Sequence, residues 1–358
     1  MKPRIPLIRF GRNFSDTDLR TQSFGTNTER HMQRTMTLYL VAVLSGVGVV
    51  CGDEPLIAPA SVRKVYDDGR HNAFTALVRW KNAYWLSFRN ADSHAYGEAD
   101  LIVLRSSDGE KWTEAHRVNA LPDDRDPQFL ATEKRLFLYD MALQGPDLTT
   151  FVTWTEDGAT WSKPQPVYEP RFGLWKPCIH GDRFLASAHR KAEGKDAAKI
   201  RQSHLITSTD GLKWEKISLV SGGNYESETT IFPGPGDKLT AFLRIKYSVP
   251  GFILEAAPPY QEWARRPAGI HLSGHSVHTF RGTTYLFSRT MNDKGSDTGT
   301  MIYTYADGKP TPYCKLPSGG DCSYAEAVEV GDEMLVSYYS SHEGRTSVYL
   351  ARVPLKLK

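Results

Sequence analysis

The sequence has few cysteines and no segment with helical periodicity. Only 4 cysteines occur among 358 residues, and neither a Cys-x-x-Cys pair nor a histidine-rich spacing predicts a metal site. We therefore expect no metal and no cofactor. Because no stretch of useful length repeats its apolar residues at the helical period, while Pro and Gly punctuate short β-rich runs, the chain is predicted to be all-β.

Long hydrophobic runs are also scarce. The apolar stretch at residues 38–50 has 13 residues, which is too short for a membrane span but suits the core of an export signal. Small residues near Cys51 follow it. We read residues 1–52 as a leader, with Met32 or Met36 as alternative starts, and expect a periplasmic or secreted protein without a stable membrane span.

An excess of basic charge is absent once the leader is set aside. Seven of the 44 Lys and Arg residues and three of the 41 Asp and Glu residues lie in residues 1–52, which leaves 37 basic and 38 acidic residues. No basic stripe remains for nucleic acid. Export permits disulfides, and Cys314 and Cys322 are close enough in sequence to pair, which would leave Cys178 free.

The sequence does contain one motif three times. Ser106–Trp112, Thr155–Trp161 and Ser208–Trp214 each have a hydroxyl residue, any residue, Asp-Gly, two further residues and Trp. The three aspartates are 49 and 53 residues apart. Asp-Gly favours a tight hairpin turn because glycine tolerates positive φ and the carboxylate accepts bonds from turn amides. Repetition at this spacing predicts a blade architecture.

Six repeating units are predicted after residue 53. Each has two alternating strands, a gap, a third strand and a turn, at about one unit per 50 residues. We predict a single all-β domain over residues 53–358 that forms a six-bladed β-propeller, with a five-bladed ring as the alternative. A strand at residues 56–66 could close the ring beside the strands of residues 347–353.

The repeated motif resembles the Asp box, or BNR repeat, of sialidases (neuraminidases) and related bacterial β-propellers. In those families the motif holds a turn at the outer edge of a blade, and many non-enzymes carry it. The resemblance therefore implies the fold, with these aspartates as structural residues. Candidate catalytic residues are expected on the inner strands.

A second resemblance to sialidases involves Glu228, Arg244 and Tyr324. In sialidases a glutamate opens an inner strand and an arginine follows about sixteen residues later, which is the spacing from Glu228 to Arg244. Glu226 is the rival glutamate. The family glutamate ionises a tyrosine nucleophile, since a phenol is weak without a neighbouring base. Tyr324 is the matching candidate.

The resemblance also implies an acid and a set of arginines. The loop of residues 90–98 supplies Asp92 as the first candidate acid, with Glu98 and His94 as alternatives. Sialidases bind the substrate carboxylate with three arginines, and Arg244 and Arg289 fit two of these positions. No arginine lies in residues 71–77, where the first is expected, so Arg89 is the candidate substitute.

Several phrases, including Asp124–Pro127, Trp175–Pro177, Leu316–Tyr324 and Tyr338–Gly344, resemble an exported, sialidase-like bacterial branch that lacks this first arginine. Six residues at predicted blade starts would converge on a central pocket: His71, Arg125, Trp175, Glu228, His275 and Tyr324. The predicted function is an exported, monomeric, exo-acting glycoside hydrolase that cleaves a terminal anionic sugar from a glycan. The alternatives are a non-catalytic propeller that binds glycans or proteins, and a carbohydrate lyase.

Overall fold

A computed structural model describes residues 55–356, apart from residue 96 and residues 145–146, 192–200, 247–249 and 293. The predicted leader, its apolar core at 38–50 and Cys51 lie outside the described residues. Within them the chain forms 24 strands and one 3₁₀ turn, Pro235–Asp237, so the all-β prediction is confirmed. In the described ranges, no helix has the length and apolarity that a membrane crossing needs.

The strands are mostly short and are connected in sequence. In chain order they are β1 (Ser61–Tyr66), β2 (His71–Trp80), β3 (Ala83–Ala91), β4 (Ala99–Ser106), β5 (Thr113–Val118), β6 (Asp123–Ala131), β7 (Leu136–Gln144), β8 (Asp147–Thr155), β9 (Gln165–Val167), β10 (Gly173–His180), β11 (Arg183–Lys191), β12 (Arg201–Ser208), β13 (Glu215–Ser221), β14 (Glu226–Pro233), β15 (Leu239–Ile245), β16 (Phe252–Ala256), β17 (Ala264–Pro267), β18 (Ser276–Phe280), β19 (Thr283–Thr290), β20 (Gly299–Ala306), β21 (Lys309–Leu316), β22 (Cys322–Val330), β23 (Glu333–Ser340) and β24 (Ser347–Pro354).

Four sets of strands form separate four-stranded antiparallel blades. Three of them use consecutive strands, β10–β13, β14–β17 and β18–β21. The fourth has the order β1-β24-β23-β22, so the first strand of the chain pairs with the last. The predicted closure of the ring by residues 56–66 is therefore confirmed in its pairing, over Ser61–Tyr66.

The predicted blade count is wrong. In the described part of the chain the other eight strands, β2 to β9, belong to one sheet, so the fold is a propeller with four separate four-stranded blades rather than six or five. A single parallel pair, Ala99 with Asp123, joins β4 to β6 in this sheet, and the Ala99 amide donates to the Pro122 carbonyl at 2.8 Å. The sequence repeat could not reveal this link because it is made by main-chain atoms.

The inner strands surround the centre of the molecule. A cavity of about 240 Å³ is lined by residues of β2, β6, β10, β14, β18 and β22. Apolar side chains such as Leu77, Ile231 and Val328 face its wall together with Lys176 and Glu326. Residues that lie just before or early in these six strands therefore come close together, although they are far apart in sequence.

The three repeated motifs form outer turns with the same hydrogen bonds. In the first, Asp108 Oδ1 accepts from the amides of Glu110 and Lys111 at 2.8 and 2.9 Å, and the Gly109 amide donates to Ser106 Oγ at 2.8 Å. Asp157 and Asp210 repeat this pattern. The hydrogen bonds from these two backbone amides lower the pKa of Asp108 to about 2. These aspartates hold turns.

The cysteines of the described residues are all free. Cys178, Cys314 and Cys322 form no disulfide, so the proposed pairing of Cys314 with Cys322 is not present. Cys314 and Cys322 are buried, and burial raises the pKa of the Cys314 thiol to about 11. Cys314 packs in an apolar cluster with Tyr285 and Tyr338.

Candidate functional site

β-Bulges lie near the beginning of five inner strands. The pairing register shifts after Ala73 in β2, Arg125 in β6, Trp175 in β10, Glu226 in β14 and Ser323 in β22. Four non-glycine residues in these bulges have positive φ: Phe74 (59°), Asp126 (51°), Lys176 (45°) and Tyr324 (53°). A bulge re-aims a side chain, and such strained positions concentrate at functional sites. The bulges therefore define a candidate site.

Glu228 and Tyr324 meet within this site. The Tyr324 hydroxyl donates to Glu228 Oε1 at 2.8 Å, and Arg244 Nη1 donates to the same oxygen. The Gly274 amide donates to the other carboxylate oxygen, Oε2, at 2.7 Å. Both Glu228 and Tyr324 are buried. The sequence order of glutamate, arginine and tyrosine is thus matched by direct contact.

The electrostatics of this group separate the pKa values of Glu228 and Tyr324. Burial opposes ionisation of Glu228, but Arg244 and the Gly274 amide outweigh it and lower its pKa to about 2. Burial and the neighbouring Glu228 carboxylate raise the pKa of Tyr324 well above 10. At neutral pH the proton therefore resides on the phenol, which is hydrogen-bonded to an ionised carboxylate.

Arg289 links this group to Asp321. Arg289 Nε donates to the Cys322 carbonyl at 2.8 Å and Nη2 to the Tyr339 hydroxyl at 2.8 Å. Its guanidinium lies 5.8 Å from the centre of the Tyr324 ring. The Tyr339 hydroxyl donates to Asp321 Oδ1 at 2.9 Å. Arg289 thus lies beside Tyr324.

Two histidines converge on the other oxygen of Asp321. His71 Nε2 lies 2.8 Å and His94 Nδ1 lies 2.6 Å from Asp321 Oδ2. Burial raises the pKa of Asp321, but the bonds to the two histidines outweigh this effect and lower it. Phe74 packs between His94 and Tyr324, with ring centroids 5.3 and 4.8 Å away. The histidine cluster therefore borders the Glu228 and Tyr324 group.

Asp126 is a buried carboxyl that interacts with this group. Burial raises its pKa, although Arg125 opposes the effect, and the charge of Glu228 raises it further. Its Oδ1 is buried with no hydrogen-bond partner among the described residues. Asp126 also interacts electrostatically with Tyr324. The site thus contains one carboxyl, Glu228, whose pKa is lowered and another, Asp126, whose pKa burial raises.

Aromatic side chains form the wall behind these polar groups. Phe74, Trp175, Tyr324 and Tyr339 pack in one buried cluster with Met141. Trp175 Nε1 donates to Thr230 Oγ1 at 3.2 Å, and its ring meets that of Tyr324 edge-on at 5.8 Å. Trp175 therefore contacts the site as a packing residue that fixes the position of the Tyr324 ring.

Two of the predicted site residues, Asp92 and Arg89, form ion pairs away from Glu228 and Tyr324. Asp92 is 86% exposed and pairs with Arg70 at 3.0 Å. Arg89 is fully buried, where it pairs with Asp123 at 2.8 Å and donates to the Ser93 carbonyl at 2.6 Å. Neither contact reaches Glu228 or Tyr324, so the structure does not bring Asp92 or Arg89 into direct contact with that pair.

The remaining predicted residues are placed more closely. Arg125 donates to the His94 carbonyl at 2.8 Å and lies 5.4 Å from the centre of the Phe74 ring. His275 is fully buried and bonds the Phe242 carbonyl at 2.7 Å. Burial lowers the pKa of His275 to about 4. Arg125 thus shapes the site, and His275 supports it as a neutral ring.

The two candidate glutamates are clearly distinguished. Glu226 pairs with Arg265 of β17 at 2.6 Å and accepts the Gly223 amide at 2.8 Å. Glu228 alone of the two contacts Tyr324. The bulge after Glu226 separates their environments, because it gives the two carboxylates different directions.

Sequence reasoning missed three residues of the site. Asp126 and Asp321 lie in the same phrases as the candidates Arg125 and Tyr324, and Tyr339 lies near the end of β23. Asp126 could have been found from its place in the repeat. It is 52 residues after Phe74, and both are the first residue of a bulge. A bulge cannot be located from side-chain alternation alone.

Comparisons with known proteins identify the fold. No protein-family profile and no curated protein matches the sequence. The structure is similar to Trypanosoma rangeli sialidase, with a TM-score of 0.64 at 12% identity, over 84% of this chain and 58% of that chain. It therefore spans little more than half of that sialidase.

Two fungal proteins are similar over nearly their whole length. The α-L-arabinanase of Penicillium chrysogenum complexed with arabinobiose has a TM-score of 0.59 at 12% identity, over 79% of this chain and 93% of that one. The α-L-arabinofuranosidase of Fusarium graminearum with arabinobiose has a TM-score of 0.61 at 12% identity, over 83% and 98%. The predicted sialidase-like propeller fold is thus confirmed.

Proposed function

We propose that this chain is a glycoside hydrolase that uses Tyr324 as its nucleophile. The observation that carries the proposal is the hydrogen bond from the buried Tyr324 hydroxyl to the ionised Glu228, beside Arg244 and Arg289. A nucleophile within hydrogen-bond reach of a base, itself oriented by a third group, is the arrangement that covalent catalysis requires. The three similar solved structures are also glycoside hydrolases.

In the first step the Tyr324 oxygen attacks the anomeric carbon while its proton passes to Glu228 Oε1. Arg244 and Arg289 stabilise the negative charge that develops on the phenol oxygen as the proton leaves. The bond to the leaving group breaks, and an acid protonates the departing oxygen. In the second step water replaces the phenol, which recovers its proton from Glu228.

Asp126 is the residue that we propose as the acid. Its raised pKa favours the protonated form that the first step needs, and deprotonated Asp126 would then activate water. Asp92, the acid proposed from the sequence, is exposed and paired with Arg70.

The proposed substrate is a glycan with a terminal anionic or heavily hydroxylated sugar. The buried Nε atoms of Arg125 and Arg244 have no hydrogen-bond partner among the described residues, and guanidinium groups bind carboxylates and hydroxyls well. The sequence has no arginine where sialidases place their first, so the proposed sugar need not be sialic acid. Phe74 occupies that segment, at the bulge.

We infer that the three turn motifs are Asp boxes, which mark the scaffold, and that residues 1–52 direct export of a monomer. N-terminal sequencing of the exported protein tests the leader. A mature chain that still begins before residue 38 would overturn it.

The test of the mechanism is a pair of variants, Tyr324→Phe and Glu228→Gln, assayed on mixed glycans for released sugar. We expect turnover to fall by at least about 10³-fold in each, as for other residues that act as one catalytic unit. Tyr139→Phe is the matched control, because it also removes a buried tyrosine hydroxyl, which donates a hydrogen bond to the Gly211 carbonyl at 2.7 Å. Unchanged turnover in both site variants would refute the mechanism.

Mass spectrometry of the chain quenched during turnover separates the alternatives. A hydrolase that works through Tyr324 gains the mass of one sugar on the peptide that contains Tyr324, and Tyr324→Phe does not. A lyase instead yields a product that absorbs at the wavelength of a new double bond. Binding on a glycan array without any product would identify a non-catalytic propeller.

A further inference from the structure

His71, His94 and Asp321 form a cluster that the proposed hydrolysis does not use. Their ligand atoms lie within 4.8 Å of one another, and both histidine nitrogens face Asp321 Oδ2. We propose that this cluster binds one divalent transition-metal ion, with Zn²⁺ as the best-fitting ion. The proposal does not depend on the hydrolase mechanism.

The ligand set fits Zn²⁺ rather than Mg²⁺ or Ca²⁺. Two imidazole nitrogens and one carboxylate oxygen are common ligands of catalytic zinc, whereas Mg²⁺ and Ca²⁺ prefer oxygen ligands. His71 Nδ1 is buried without a hydrogen-bond partner among the described residues. In the metal-free cluster His71 Nε2 donates its proton to Asp321 Oδ2 at 2.8 Å. A metal ion takes the place of this proton, and the His71 ring then carries its proton on Nδ1.

The carboxylate ligand is already oriented. Tyr339 donates to Asp321 Oδ1 at 2.9 Å and Arg289 Nη2 lies 3.5 Å from the same oxygen. The Asp321 amide donates to Ser341 Oγ at 2.8 Å. These contacts leave Oδ2 to face the histidines. Hydrogen bonds of this kind orient ligands and tune metal affinity.

The geometry also provides access and some freedom. The His94 side chain is 52% exposed, so an ion can enter from solvent. Zinc at about 2.0–2.2 Å from each ligand requires ligand atoms about 3–3.5 Å apart, and the half-exposed His94 ring has room for that adjustment. Three protein ligands leave a coordination position for water or for a ligand oxygen.

The position of the cluster suggests what the fourth ligand is. Phe74 contacts both the His94 ring and the Tyr324 ring, so the ion would lie on the far side of Phe74 from Tyr324. A hydroxyl or carboxylate oxygen of a bound sugar is the chemistry that suits a zinc ion there. The metal would then hold one end of the ligand at the mouth of the site.

The experiment measures Zn²⁺ binding to the tag-free protein after removal of metals with a chelator. Calorimetry and metal analysis after desalting should give one Zn²⁺ per chain, and Co²⁺ should give a visible absorbance band of a low-coordinate nitrogen and oxygen site. Zn²⁺ should also raise the unfolding temperature, because it binds only the folded cluster.

Variants make the result specific. His94→Ala should abolish stoichiometric Zn²⁺ binding. Because the His94 side chain is half-exposed, we expect this variant to fold normally. Asp321→Asn should act similarly, and Tyr339→Phe should weaken binding by about 10- to 100-fold, as for other groups that orient ligands. His180→Ala is the matched control, since His180 lies elsewhere and only approaches Asp237, at 4.0 Å.

Three results would overturn the proposal. The first is the absence of stoichiometric Zn²⁺ binding by the unmodified chain, which would leave the cluster as a hydrogen-bonded group. The second is binding that His94→Ala and Asp321→Asn retain, which would place the ion elsewhere. The third is a loss of Zn²⁺ binding in His180→Ala as large as that in the cluster variants, which would show that the loss is not specific to the cluster.

Discussion

At the scale of single residues, Gly274 determines two features of the candidate site. Its amide donates to Glu228 Oε2 at 2.7 Å, and its φ of +53° is a conformation that side chains disfavour. A Cβ at this position would lie 2.3 Å from Cδ2 of Tyr324. The Tyr324 ring therefore packs directly on the backbone of Gly274, which leaves no space for a methyl group.

We predict that Gly274→Ala lowers both stability and turnover. The positive φ alone costs about 1–2 kcal/mol, and displacement of the Tyr324 ring adds to this loss and breaks the hydrogen bond to Glu228. Denaturant unfolding and glycan turnover measure the two effects.

Gly269→Ala separates strain from contact, because Gly269 has φ of +71° but no atom within 4 Å of its Cβ position. It should lose only the backbone contribution and keep its turnover. Equal losses of stability in the two variants, with turnover intact in both, would contradict the role assigned to Gly274.

The residue scale also shows what the sequence could predict of the site. Glu228, Arg244 and Tyr324 were predictable together because their order and spacing resemble a family pattern. Asp126 and Asp321 were not, because their importance depends on where a bulge turns the strand and on which neighbours are buried. Asp92 was a reasonable choice by loop position, but only the structure shows its exposure.

At the scale of elements, β1 closes the propeller. It pairs with β24 from Ser61 to Tyr66, with one irregularity between Lys64 and Tyr66. The Ala60 amide also donates to the Arg352 carbonyl at 2.8 Å. Val65 and Tyr66 pack against an apolar cluster that includes Leu350. Without β1, the strand β24 would become an unpaired edge.

We therefore predict that a chain beginning at Asp67 is much less stable than one beginning at Pro55. Loss of β1 removes the β24 pairing and exposes apolar residues of the cluster, so the shorter chain should unfold at a lower temperature and aggregate. Thermal unfolding and light scattering of the two chains test this. Equal unfolding temperatures and monomeric behaviour for both would show that β1 does not contribute to closure.

Elements were predictable where local chemistry fixes them. The Asp-Gly turns followed from residues that bond their own amides, and the pairing of the first and last strands followed from chain order. The number of blades did not follow, because the Ala99 and Asp123 pair that joins β4 to β6 uses backbone atoms only. Side-chain patterns carry no record of such a link.

At the scale of the whole molecule, buried ionisable groups are distributed along the central axis. Glu228 pairs with Arg244 in the candidate site, and Glu326 pairs with Lys176 and with His278 at the axial cavity. Burial opposes ionisation of Glu228 and Glu326, but the charges of their cationic partners outweigh burial and lower each pKa to about 2. The stability of the fold therefore depends on pH.

Two windows of acid destabilisation follow from the signs of these shifts. Burial lowers the pKa of His189 and His275 to about 4, below the usual 6.5. The unfolded chain therefore takes up these protons first as pH falls from 6.5 to 4, and stability declines. Glu228 and Glu326 add a second decline between pH 4.5 and 2, because their folded pKa values lie below 4.5.

We predict that the free energy of unfolding is highest at neutral pH and already falls between pH 6.5 and 4.5, before most carboxylates titrate. Denaturant titrations at intervals between pH 7.5 and 3 measure this profile. His189→Phe should flatten the decline between pH 6.5 and 4 and leave the part below pH 4 unchanged, because it removes one neutral buried ring and no carboxylate. A stability that stays constant from pH 7 to 4.5 would show that these histidines are protonated without cost in the folded protein.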